Sequence, residues 1–248
     1  MSKRRLHPVV LLAAVGLTLL TARLGWWQLD RAAEKQALER QRQEQLAQPV
    51  LVGEELPHRA EAVEPLVQRR AQLQGRWQAE ATVALENRPM GGRVGFYIVT
   101  PLQLADGSAV LVQRGWIPRD LQDRTRLAPF DTPAAEVSVQ GRIAPRVPRL
   151  YELGEAGGGV LRQNLEIVAF ARERGLSLRP WVLIQDDSPG APPDGLLREW
   201  PAPGSGVDKH HGYAFQWFAL SALTLGLLVW FQFFRPARPD HASERPPT

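Results

Sequence analysis

Residues 212–234, GYAFQWFALSALTLGLLVWFQFF, contain no charged side chain at any of their 23 positions. As an α-helix this stretch is roughly 34 Å long, enough to cross a hydrocarbon core of ~30 Å. Large aromatic residues stand at both ends and are absent from the middle, as the two interfaces of a bilayer favour. A buried helix of a soluble protein rarely needs so long an uncharged stretch. The stretch therefore predicts a transmembrane helix.

A second apolar segment follows the basic start of the chain and predicts another transmembrane helix over residues 8–29. A cleaved signal peptide has a similar pattern, but its only plausible cleavage site here carries Leu20 where a small residue is required. Trp26 and Trp27 resemble an interfacial anchor, so we expect the helix to be retained. Arg23 either extends its charge to the headgroups, the simpler interpretation, or pairs with a carboxylate or an anionic ligand.

Basic residues lie beyond both predicted helices, in the terminal tails 1–7 and 235–248. The positive-inside rule therefore predicts that both termini are cytoplasmic and that the middle of the chain lies on the outer face. Residues 30–211 contain 23 basic against 24 acidic residues, so the net charge of this segment is −1. Binding of nucleic acid needs a basic face on the folded domain and is not supported.

The middle of the chain predicts a short helix and then an antiparallel, β-rich domain of the α+β class. Residues 30–48 are rich in Ala, Glu, Gln and Arg, and we expect them to extend the first helix outward. The external domain is expected over residues 49–211, with Asp106-Gly107 as a hairpin turn. Alternating or apolar runs bounded by turn residues predict strands at 71–77, 81–86, 95–104, 109–117, 137–143 and 181–185, with one helix at 165–174.

The composition excludes several kinds of chemistry. Cysteine is absent, and Met1 and Met90 are the only methionines, which rules out thiolate metal sites, a Cys-x-x-Cys pair and a Met-rich copper site. The glycine-rich run 154–159 lacks the flanking strand and helix of a nucleotide-binding fold. His58 lies in a predicted loop without a partner for a triad or a zinc site. We therefore expect a protein without catalytic turnover.

Two places retain candidate functional residues. His210 and His211 immediately precede the second apolar run, where they are either ordinary polar anchors or axial ligands of a haem, since neutral imidazole suits iron. Arg114 and Trp116 end a predicted strand. Taken alone, Arg114 is most simply a surface or ion-pair residue and Trp116 a core or interface aromatic.

Several segments, in order along the chain, resemble the Surfeit locus protein 1 family, assembly factors of haem–copper cytochrome c oxidase. They are LGWWQLDR at 24–31, the run 91–102, Asp106-Gly107, VLVQRGWIP at 110–118 and YAFQWF at 213–218. The arrangement of two membrane helices around one external domain is also similar, and the resemblance covers nearly the whole chain.

The resemblance implies an antiparallel β domain and a role in oxidase assembly at a bacterial inner membrane, with the external domain periplasmic. It implies binding or delivery of haem a to the catalytic subunit, and haem a synthase as a further partner. The alternative is a scaffold that binds no cofactor and stabilises an oxidase subunit. Counting back from Tyr213, the family histidine corresponds to His210, with His211 as second choice. The other residues expected around the haem are Arg23 or Arg114 as propionate partners and the aromatic residues Trp26, Trp27, Trp116 and Trp217.

Overall fold

The chain divides into two compact units, one formed by residues 1–39 with 203–248 and the other by residues 40–202. The structure, a computed structural model, describes residues 7–123, 125–151, 159–188, 192–200 and 207–234. The basic residues of both predicted cytoplasmic tails lie outside these ranges, as does most of the glycine-rich run at 154–159. The helices are α1 (Pro8–Ala47), α2 (Ile167–Arg174) and α3 (Val207–Val229).

Two of these helices are long and apolar enough to cross a membrane, as the sequence predicted. Pro8 stands at the start of α1, where its missing N–H would have no partner in any case. The other helix, α3, continues as a π-helical turn over Trp230–Phe234. Only 11% and 6% of their most apolar windows is buried, whereas the core helix of a soluble protein would be mostly buried. Their exposed apolar surfaces suit lipid.

The second membrane helix begins at Val207, five residues before the predicted start at Gly212. Asp208 lies in its first turn, where the helix dipole favours a negative side chain. The prediction counted only uncharged residues, although a helix can begin before it enters the apolar layer. As a consequence, His210 and His211 belong to the first turns of α3, and their side chains are held by a regular helix.

The second unit is built on one seven-stranded sheet with the order β1-β5-β7-β4-β3-β2-β6. An additional pairing between β1 and β3 closes five of these strands into a barrel. At that closure, a Cβ on Gly75 would stand only 2.1 Å from the carbonyl oxygen of Gln103, so the close approach requires glycine. The strands are β1 (Arg70–Trp77), β2 (Val83–Met90), β3 (Arg93–Gln103), β4 (Ala109–Pro118), β5 (Val137–Ala144), β6 (Leu161–Arg162) and β7 (Leu178–Gln185).

The predicted β-rich domain between two membrane helices is confirmed, with two differences in detail. The hairpin between β3 and β4 turns at Asp106-Gly107, as predicted, and Asp106 accepts hydrogen bonds from the amide and hydroxyl of Ser108. The strand pairings are antiparallel except for β4–β7 and β2–β6, which are parallel. The two-residue strand β6 was not predicted, because it is too short to show an alternating pattern.

The barrel unit has a fully buried tryptophan in each of its two larger core clusters: Trp181 packs with residues of the five closed strands, and Trp116 packs with residues of β2 and α2. Trp116 and Trp181 are fully buried, and each indole N–H donates to a backbone carbonyl, that of Arg88 and that of Pro57, at 2.8 Å in both cases. A buried indole needs such a partner, since an unpaired N–H would destabilise the core. Both tryptophans therefore belong to the framework of the domain.

Candidate functional site

The candidate residues predicted from the sequence are divided between the two units. Six lie on α1 and α3, and two lie on β4 of the barrel. The six helical residues are Arg23, Trp26, Trp27, His210, His211 and Trp217.

Helix α1 presents one continuous seam of buried small or polar residues. Thr21, Gly25, Gln28 and Ala32 are its buried residues, separated by four, three and four positions, so they lie on the same face. Small residues on such a face allow two helices in a membrane to approach closely. Ala214 is the buried residue of α3. The two helices therefore form a hairpin with a narrow seam.

Direct contacts define this seam at three levels. Ser221 donates its hydroxyl hydrogen to the carbonyl oxygen of Thr18 at 3.0 Å. Trp26 and Phe218 pack edge to face, with ring centroids 5.8 Å apart and planes at 87°. Gly25 faces the same phenyl ring, and a Cβ placed there would stand 2.8 Å from two of its ring carbons and 2.9 Å from a third. The absence of a side chain at position 25 thus allows the Phe218 ring to pack against the backbone of α1.

At the third level, His210 of α3 meets Gln28 of α1. Nδ1 of His210 lies 2.7 Å from Oε1 of Gln28, and the amide side chain is 9% exposed. A carbonyl oxygen can only accept, so the neutral imidazole at this position carries its proton on Nδ1. Nε2 then keeps its lone pair, and it has no hydrogen-bond partner within the described residues. Nε2 of His210 is therefore available to bind a metal.

His211 has a different environment. Its side chain is exposed, and its Nε2 lies 3.4 Å from Nε2 of Gln36, a longer contact than the one His210 makes. In His211 the side chain of Gln36 thus lies near Nε2, whereas Nε2 of His210 has no such neighbour among the residues that the structure describes. Of the two histidines, His210 has the fixed ring and the available Nε2.

Both helices of the hairpin carry tryptophans that are exposed or half-buried. Trp26 and Trp27 of α1 are 60% and 50% exposed. Trp217 is half-buried and follows His210 by seven residues, two helical turns, so both lie on one face of α3. Arg23 is exposed, precedes Trp27 by one turn and has no ion-pair partner in the described part of the chain.

This arrangement can hold a flat, apolar group that brings its own metal. Among the described residues, no three His, Cys, Asp or Glu side chains come together as a metal site. A metal ion bound by the protein alone would need such a set. A porphyrin iron needs only one axial imidazole, and its apolar ring can lie against aromatic side chains. The residues around His210 therefore fit a haem.

Arg114, by contrast, is committed to partners inside the barrel unit, and its side chain is 2% exposed. Its guanidinium donates to the hydroxyl of Thr132 at 2.6 Å and to the carbonyl of Asp131 at 2.5 Å, and it lies 3.7 Å from the Asp194 carboxylate. It also stands 4.6 Å from the ring centroid of Trp77. Burial lowers the pKa of the Arg114 guanidinium, and the Asp194 carboxylate opposes this shift. These are the contacts of a structural ion pair.

Trp116 is likewise part of a hydrophobic core of the barrel unit. Its side chain is fully buried, its indole N–H is paired with the Arg88 carbonyl, and the guanidinium of Arg93 lies over its ring at 5.3 Å. The interpretation of Trp116 as a core aromatic accounts for all of these contacts.

Gln28 and Phe218 contact the candidate residues His210 and Trp26, and neither was predicted from the sequence. Gln28 lies within the LGWWQLDR segment, where it resembles any polar residue at a membrane boundary. The available signal was the spacing of Thr21, Gly25, Gln28 and Ala32, which marks one helix face. That spacing alone does not identify the partner helix.

Gly25→Leu is expected to separate the helices of the hairpin, because the new side chain would occupy the space of the Phe218 ring. The chain has no native cysteine, so a Thr18→Cys, Ser221→Cys pair can report the separation. We expect the yield of the oxidised cross-link between these positions to fall several-fold. Gly16→Leu is the matched control, because nothing lies within 4 Å of a Cβ at that position on the same helix. Equal cross-linking in both variants would contradict the proposed close approach.

Comparison with known proteins gives one consistent result. A family model described as the SURF1 family matches residues 15–222. A SURF1-like protein of Rickettsia bellii is 24% identical over 219 residues, covering 86% of this chain and 85% of that protein. A SURF1-like protein of Rickettsia felis is 29% identical over 108 residues, covering 43% and 45% of the two chains. One of Dictyostelium discoideum is 42% identical over 48 residues, covering 19% and 18%. The resemblance inferred from the sequence motifs is confirmed.

Proposed function

This chain belongs to the SURF1 family, and on that premise we propose that it is a membrane-anchored assembly factor for haem–copper cytochrome c oxidase. We propose further that it binds haem a and passes it to the catalytic subunit. The observation that carries this second step is the available Nε2 of His210, on a ring whose Nδ1 is held by Gln28 at 2.7 Å.

The residues of the helix hairpin have separate roles in this proposal. His210 provides the axial nitrogen, and Trp26, Trp27 and Trp217 offer apolar faces to the macrocycle. Arg23 is a cation that can pair with a propionate, and it has no protein partner among the described residues that would have to be displaced. Haem a would be bound through its iron and would be released chemically unchanged, because it is cargo. We assign Arg114 and Trp116 to the framework of the barrel, because their polar groups are already paired.

The proposed location is the inner membrane of a bacterium, with both termini cytoplasmic and the barrel in the periplasm. Lys3, Arg4 and Arg5 precede the first apolar segment and Arg235 and Arg238 follow the second, in agreement with the positive-inside rule. His210 would then lie near the outer rim of the bilayer. A haem held by His210 would there be accessible to a membrane-embedded donor, such as haem a synthase, and to the oxidase subunit that accepts the haem.

Reporter fusions test this orientation. We expect a fluorescent protein joined after residue 248 to fold and fluoresce, and alkaline phosphatase at the same position to be inactive. Alkaline phosphatase inserted into the loop between β4 and β5 should be active, because the barrel is expected outside. Activity of phosphatase at the C-terminus would contradict the orientation and the proposed access to the periplasmic side.

The visible spectrum of the purified protein tests haem binding. Full-length protein from cells that make haem a should show a Soret band, and an otherwise identical preparation from cells unable to make haem a should lack it. A colourless protein that still co-purifies with the oxidase would favour the scaffold function instead. Undiminished oxidase in a strain that lacks the protein would contradict both functions.

A further inference from the structure

Gln28 of α1 lies within hydrogen-bond distance of the His210 ring, and we propose that it is the positioning residue of the axial ligand. It holds the imidazole in the tautomer with the proton on Nδ1, so that Nε2 is the nitrogen presented to iron. This inference rests on the proposed function for its biological meaning, although the tautomer itself can be observed without haem.

The contact has the geometry of a directional hydrogen bond. Oε1 of Gln28 and Nδ1 of His210 are 2.7 Å apart, and 182 positions separate the two residues in the chain. The bond therefore exists only because the hairpin brings α1 against α3. Free imidazole exchanges its proton between both nitrogens, whereas an acceptor fixed at Nδ1 selects one form.

Gln28 is itself largely buried, at 9% exposure. Gln28 lies on the same buried face of α1 as Gly25, one turn further along the helix. Phe218 packs closely against this face at Gly25. A buried amide has few rotamers and needs a partner, and His210 supplies it. The hydrogen bond thus fixes the direction of the imidazole plane as well as its tautomer.

The chemistry of metal-binding histidines explains why such a partner matters. A histidine that ligates a metal usually donates its other N–H to a carbonyl or carboxylate, which orients the ring and raises the basicity of the ligating nitrogen. A neutral amide does this without adding charge, whereas a carboxylate at the same place would donate more electron density. Gln28 therefore fixes the orientation of His210 but raises its basicity only moderately, which suits a cargo that must be released.

The decisive experiment observes the tautomer directly in the full-length protein without haem. Nitrogen-15 labelled histidine allows the two ring nitrogens of His210 to be distinguished by NMR in detergent, with His210→Ala used to assign its signals. We expect the wild type to show protonated Nδ1 and unprotonated Nε2. Gln28→Leu should give a mixture of both tautomers, because the acceptor is gone, whereas Gln28→Glu should keep the proton on Nδ1.

Haem titration of the same variants provides the second readout. Gln28→Leu should bind haem a with ~10–100-fold lower affinity, the usual effect of removing an outer partner of a metal ligand. Gln28→Glu should bind, with a lower reduction potential of the haem because the carboxylate makes the imidazole a stronger donor. Gln36→Leu is the matched control. Gln36 lies on α1, as Gln28 does, but it contacts His211, so its substitution should leave the tautomer of His210 unchanged.

The outcomes separate this inference from the proposed function. If the wild type binds no haem, the proposed haem delivery fails, and the tautomer measurement alone decides the role of Gln28. If haem binds but Gln28→Leu shows the tautomer and the haem affinity of the wild type, the inference is overturned. Should Gln28→Leu fail to fold, Gln28→Glu against wild type still decides, because an unchanged reduction potential would contradict a hydrogen bond to the ligand.

Discussion

His210→Ala is expected to remove the Soret band from protein purified from cells that make haem a. The variant loses the axial nitrogen itself, and even loss of an outer partner lowers metal affinity by ~10–100-fold, so we expect a decrease of at least that size. The measurement is the ratio of Soret to protein absorbance after purification, followed by titration of the apoprotein with haem a. The helix should persist, because His210 is half-buried and alanine is a strong helix former.

His211→Ala is the matched control on the neighbouring position. His211 is exposed, and its contact with Gln36 is longer than the bond between His210 and Gln28, so its loss should leave the haem content nearly unchanged. Loss of the Soret band in His211→Ala with retention in His210→Ala would exchange the roles of the two histidines. Retention in both single variants and in the double variant would exclude histidine ligation at this site.

Arg114→Ala is expected to destabilise the barrel whether or not haem is present. The change leaves the Thr132 hydroxyl and the Asp131 carbonyl without their donor and removes the stack on Trp77. Breaking a buried ion pair typically costs about 3–5 kcal/mol. The lower limit, about 3 kcal/mol, is expected here, because Asp194 keeps a hydrogen bond from Arg198. Tryptophan fluorescence during urea unfolding of haem-free, full-length protein in detergent measures the change.

Arg149→Ala provides the comparison for this experiment. Arg149 pairs with Glu166, but both side chains are more than half exposed, so its removal should change the free energy of unfolding by about 0.5 kcal/mol or less. A stable Arg114→Ala variant that had lost its haem would contradict the structural role and would support the alternative prediction of a propionate partner.

Much of the fold could be predicted because its signals are local. The uncharged run 212–234, the alternation in β1 and the Asp106-Gly107 turn each depend on neighbouring residues, and the structure has helix, strand and hairpin at these places. Closure of the barrel through β1 and β3 could not be predicted in this way. It depends on Gly75 meeting the Gln103 carbonyl across the sheet, which no local pattern encodes.

The candidate site divides in the same manner. His210 stood out because a histidine beside a membrane helix is unusual in composition and because it matches a family position. Arg114 and Trp116 stood out for the same kind of reason, yet the structure surrounds both with barrel partners. A charged or aromatic residue in a strand has the same sequence signature whether its side chain faces a ligand or the core.

The sequence by itself determined that the chain has two membrane helices around a β-rich domain, because apolar length and strand periodicity are properties of consecutive residues. It also determined the family, through motifs that are short and contiguous. Only the tertiary structure decided which nitrogen of His210 is available, because that depends on Gln28, which lies on the other helix of the hairpin. A hydrogen bond between residues so distant in the chain depends on how two helices pack, and neither segment alone determines that packing.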